Sequence, residues 1–109
     1  MELANNQLRF LRGLCHNLKP VVLLGANGLT PAVLAEIDVA LNSHELIKIK
    51  VRAEDREARA ELIEGIVTGS KAAKVQTIGH MLAIYRPAQK PVIALPKPLK
   101  IAKAAKPKA

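Results

Sequence analysis

Aromatic side chains are nearly absent from this chain of 109 residues: Phe10 and Tyr85 stand alone, and there is no tryptophan. That scarcity excludes a surface that stacks bases on aromatic platforms, as several sheet-based nucleic-acid readers do. Both aromatics are expected in the core or at its edge. Cysteine is limited to Cys15, so no internal disulfide can form, which suits a reducing compartment. No apolar run approaches the roughly 18 residues of a membrane span. The opening MELANNQLRF carries an early Glu and no apolar stretch of the kind a secretory leader needs. The expected location is the cytoplasm. Cys15 and His16 are adjacent, and His44 and His80 lie far apart, so no metal-ligand spacing is present. The acids form no catalytic pair, and Ser43-His44 has no activating partner. The pattern points away from an enzyme, and no cofactor or small-molecule substrate is expected.

What the chain has in quantity is positive charge. Seventeen Lys and Arg residues face nine acids, for a net charge of +8 and an isoelectric point of about 10.0. That balance suits an anionic partner. Six of the lysines (Lys90, Lys97, Lys100, Lys103, Lys106 and Lys108) lie in residues 89–109 without a single acid. Residues 1–88 therefore carry only +2. Residues 97–109 read as a Lys/Pro/Ala-rich basic tail, mobile beyond Pro98, because such a composition cannot offset its ordering entropy by burial. Residues 1–96 read as one domain.

Periodicity predicts the elements. Leu8, Leu11, Leu14, Cys15 and Leu18 recur at helical spacing over about residues 3–16. Pro20 forces an extended approach to a strand, Val21–Leu24. Four consecutive apolar residues suggest that this strand is central and covered on both faces. Thr30-Pro31 is a helix start, with Thr as the cap and Pro in the first turn. Ile47, Ile49 and Val51 alternate with Lys48, Lys50 and Arg52, which gives one apolar and one basic strand face. A third helix follows Asp55, with Gly69 as its stop. Val75–Ile78 and Met81–Tyr85 are two short strands joined through Gly79-His80. The order α-β-α-β-α-β-β predicts an α/β fold: a single compact domain with a mixed four-stranded sheet packed with helices.

Gly25 and Gly28 stand between the first strand and the second helix, in GANG. Ligand sites of α/β sheets lie at such strand ends. Glycine lets a phosphate approach the backbone, and a helix start offers free N–H groups and partial positive charge. An ordinary turn through Asn27-Gly28 explains the same four residues. The stretch lacks the dinucleotide fingerprint and the Lys-Ser/Thr of a phosphate-binding P-loop. KH modules clamp RNA backbone with a Gly-x-x-Gly loop. Here the loop interior is Ala26-Asn27, so charge must come from Lys19, Arg9 and Arg12. Lys48, Lys50 and Arg52 form a second candidate, either a phosphate-facing stripe or the solvated face of an edge strand.

Longer stretches carry a more specific likeness. LRGLCHNLKPVVLLGANGLT, VLAEIDVALNSHELIKIKV, EDRE and VQTIGHMLAIYRP run in order from Leu8 to Pro87. Together they resemble the YhbY-like, or CRM-domain, family of RNA-binding proteins, named for chloroplast RNA splicing and ribosome maturation. The resemblance implies a fold similar to the C-terminal domain of translation initiation factor three. It also implies RNA contact through Gly25, Ala26, Asn27 and Gly28, and a role on precursors of the large ribosomal subunit. The tail lies outside the resembling part. The expected protein is a monomeric, non-enzymatic RNA binder. The competing reading is a basic module that docks on an acidic protein without touching RNA. Attachment to an anionic membrane through the tail is disfavoured, since the tail has no amphipathic helix with aromatic anchors.

Overall fold

Thr30 and Asp55 begin two of the helices through their own side chains. Thr30 Oγ1 accepts from Val33 N–H at 3.2 Å, and Asp55 Oδ1 accepts from Ala58 N–H at 2.8 Å. Each bond satisfies a donor that the helix itself leaves unpaired. The computed structural model describes residues 3–25 and 28–97. Its elements are α1 (Asn5–Cys15), β1 (Pro20–Leu24), α2 (Pro31–His44), β2 (Leu46–Val51), α3 (Arg56–Ser70), β3 (Ala73–Ile78) and β4 (Met81–Tyr85). The sheet order is β1-β2-β4-β3. β1 runs parallel to β2, and β4 is antiparallel to both neighbours. The expected α/β architecture and mixed sheet are therefore present.

The helices α2 and α3 cover one sheet face. Ile37, Leu41 and Ile66 pack there against Val22, Leu24, Ile49, Val51, Leu82 and Ile84. Each fully buried aliphatic side chain of this kind stabilises by roughly 1.5–3 kcal/mol. α1 covers one end of the other face, where Leu11 and Cys15 meet Leu46, Val75, Ala83 and Tyr85. Burial raises the Cys15 thiol above its ordinary pKa, and the charge of Lys48 partly opposes the shift.

Three sequence expectations need correction. β1 is an edge strand, not a central one: Val21 is 48% and Leu23 56% exposed. α1 reaches only the far end of that face, so the apolar run is covered on one side alone. Its neighbour β2 is the interior strand, and its basic face is the part that α1 leaves open. Gly69 does not end α3, which continues through Ser70 to a left-handed cap at Lys71, φ 57°. Gly69 instead makes room for α2, since a Cβ there would sit 3.0 Å from Leu34 Cδ2. Phe10 is exposed on α1, whereas Tyr85 is buried as expected.

The chain after β4 is tied back to the fold. Glu45, wholly buried and at φ 66°, joins α2 to β2. Its carboxylate accepts from the N–H groups of Ala88 at 2.7 Å, Val92 at 3.0 Å and Ile93 at 2.8 Å. Burial alone would raise this carboxyl; the three donors outweigh it and hold the pKa below the ordinary value. Farther along, Asn6 Nδ2 and Gln7 Nε2 donate to the carbonyls of Lys97 and Pro96. The tail expected beyond Pro98 lies outside the described residues.

Candidate functional site

At the carboxyl end of β1 the two glycines obey different constraints. Gly28 has φ +69°, a left-handed conformation that favours glycine. Its N–H donates to Gly25 O at 3.1 Å, which ties the ends of the loop together. Gly25 has no such φ, and a Cβ added to it would meet no atom within 4 Å. The fold therefore requires glycine at 28 and does not require it at 25. Ala26 and Asn27 lie outside the described residues.

The start of α2 beside this loop offers fewer free donors than an uncapped helix. Pro31 has no N–H, and Thr30 Oγ1 takes that of Val33. Positive charge comes from β2 instead. Arg52 follows the strand, and its N–H reaches Leu24 O at 3.4 Å. Gly25, Gly28, Arg52 and Glu54 surround a hollow of about 580 Å³ that Leu23 and Leu62 also line. Lys50 is in register with Leu23, and Lys48 with Pro20. Lys48, Lys50 and Arg52 thus step along one sheet face, roughly 7 Å apart, toward the glycines. Both lysines are half-buried, with their stems beside exposed apolar neighbours.

The other predicted cations are placed elsewhere. Lys19 is exposed just before Pro20, at the opposite end of β1 from Gly25. Arg9 is exposed on α1, which packs over the Leu46 and Tyr85 end of the sheet. Arg12 Nε donates to Val75 O at 3.2 Å on the edge strand β3. The basic stripe, not the α1 cations, adjoins the loop. Arg86 clamps the helices: it donates to Ser70 O at 2.8 Å and Asn42 Oδ1 at 3.0 Å, and pairs with Asp38 at 2.8 Å. Glu54 is the lining residue that spacing did not bring out. Its one sequence signal is its place in EDRE. Among the described residues no group of three or more His, Cys, Asp or Glu could hold a metal, and no helix is long and apolar enough to cross a membrane.

Comparison with known proteins gives this geometry a family. Residues 3–86 match the CRS1 / YhbY (CRM) domain. The chain belongs to the CRM-domain family. The match takes in α1, the glycine loop, the basic stripe and Glu45. A relative from Haemophilus influenzae, named an RNA-binding protein, is 57% identical over 95 residues, covering 87% of this chain and 96% of its own. YqeI of Bacillus subtilis, named a probable RNA-binding protein, is 36% identical, covering 77% of this chain and 88% of its own. The solution structure of a Staphylococcus aureus protein, described as an RNA-binding candidate, superposes with a TM-score of 0.76 at 34% identity. It covers 87% of this chain and 100% of that one. These relatives are named for RNA binding rather than for a reaction.

Proposed function

We propose that this CRM domain is a non-enzymatic RNA-binding protein of the cytoplasm that acts on precursor RNA of the large ribosomal subunit. The RNA backbone enters at Gly25 and Gly28, and its phosphates run along Arg52, Lys50 and Lys48. The observation that carries the reading is Gly25. Its conformation does not demand glycine and its side-chain position is open, so an absent Cβ there serves close approach by something outside the fold. The names of the relatives supply the chemical class, and the basic stripe leading to the same hollow supplies the charge. Few aromatics are available, so recognition rests on phosphate, sugar and local shape rather than stacking.

Ultraviolet crosslinking in cells, followed by sequencing of the attached RNA, tests the proposal. Wild type is compared with Gly25→Ala and with a Lys48→Glu, Lys50→Glu double variant. Discrete crosslinks on precursor large-subunit RNA that fade in both variants are expected. Diffuse crosslinks unchanged by either variant would place the function in a protein partner instead.

A further inference from the structure

The hollow beside Gly25 is lined by two opposite charges, Arg52 and Glu54, that form no ion pair with each other. Among the described residues no hydrogen bond or ion pair engages the Arg52 guanidinium or the Glu54 carboxylate. Asp55, the next residue, is committed to capping α3; Glu54, just before it, makes no capping bond and is exposed. Leu23 and Leu62 give the space between them apolar walls. For phosphate attraction alone Glu54 is a liability, since it repels the ligand that Arg52 draws in. A ligand that satisfies the whole hollow needs an anionic group, an apolar flat body and a hydrogen-bond donor. One unpaired ribonucleotide has all three.

We propose that this hollow seats a single unpaired ribonucleotide with its phosphate at Gly25 and Arg52, and that Glu54 reads it by accepting a hydrogen bond from a base amine or a ribose hydroxyl. The inference rests on the RNA-binding reading above and adds a selectivity residue to it. Carboxylates accept readily from a ribose hydroxyl and from a base amine. The volume of about 580 Å³ leaves room for one nucleotide together with solvent.

Fluorescence anisotropy at one fixed salt concentration tests it. The probes are 12-nucleotide single strands of rA, rC and rU and their deoxy counterparts. The proteins are wild type, Glu54→Ala, Glu54→Gln, Gly25→Ala and Arg52→Ala, all full length. Loss of one charged hydrogen bond predicts that Glu54→Ala erodes a preference of wild type by roughly tenfold. If Glu54 reads the sugar, the loss falls on every ribo-oligonucleotide and spares the deoxy set. If it reads a base amine, the loss falls on A and C strands relative to U. Uniform tightening of all probes would make Glu54 a mere repellent, and identical affinities throughout would make it a bystander; either overturns the inference. Gly25→Ala and Arg52→Ala separate the two levels. Full binding by both variants, or no binding of any probe by wild type, overturns the RNA reading itself. Weakened binding by both, with uniform effects at Glu54, overturns only the selectivity role.

Discussion

A methyl group placed on Gly25 meets nothing, whereas one on Gly28 must adopt φ +69°. The two substitutions should therefore part company. Gly28→Ala is expected to lower stability by about 1–2 kcal/mol, the cost of a left-handed alanine. Gly25→Ala should leave the unfolding free energy measured in urea within about 0.5 kcal/mol of wild type, as exposed substitutions do, while weakening RNA binding. A folded Gly25→Ala protein with undiminished RNA affinity would remove Gly25 from the contact site. Glu45 gives a second residue-scale prediction, with a definite sign. Its folded pKa lies below the ordinary glutamate value. Its contribution is thus fully present above that ordinary value and disappears as pH falls through the folded one. Urea midpoints measured from neutral pH downward should show wild type losing stability on this acid limb. Glu45→Gln should flatten the limb and cost about 2 kcal/mol at neutral pH, because three N–H groups lose their charged acceptor.

Among the elements, α2 and α3 depend on caps that are single side chains. Thr30→Ala and Asp55→Ala should each cost about 1 kcal/mol, or roughly 4–8 °C in melting temperature for a domain of this size. Thermal melts followed by circular dichroism check both. Thr30→Ala carries an additional expectation, since it frees the Val33 N–H beside the glycine loop. These helix starts were legible in the sequence because a cap acts over three residues. Gly79 was legible for the same reason, with φ +57° in a two-residue hairpin that sets Ile78 against Met81. The place of β1 was not legible. Val21 to Leu24 read the same whether or not a helix lies over Val21 and Leu23, and the extent of α1's cover is a tertiary fact. The alternation of β2 showed correctly which side chains share a face. It could not show that the face leads to Gly25, because that depends on the parallel pairing of Leu23 with Lys50. Glu45 was hidden for a related reason: its three donors lie 43 to 48 residues farther along the chain.

At the scale of the whole molecule, positive charge divides between the folded stripe and the tail, and the strap between β4 and Lys97 sets where one gives way to the other. Ile93 and Leu95 pack with Leu46 and Tyr85, and Asn6 holds the Lys97 carbonyl at 2.8 Å. The described chain therefore ends beside α1, whose packing lies at the opposite end of the sheet from Gly25. Lys100, Lys103, Lys106 and Lys108 lie beyond the described residues. A truncation that stops after Lys97 keeps every one of these anchoring bonds and removes Lys100, Lys103, Lys106 and Lys108, lowering the net charge from +8 to +4. Its melting temperature should equal that of the full chain. Its RNA affinity should be weaker at low salt. Plotted as log affinity against log salt, the slope should shrink by roughly 0.7 for each phosphate that the tail neutralises, and by no more than about 3 if all four lysines engage. On the proposed division, in which the hollow selects and the tail supplies only non-specific attraction, the crosslinked RNA segment should stay the same. An unchanged slope would show that the tail touches no phosphate. A changed RNA target would show that the tail takes part in selection, and the division between reading and attraction would fail.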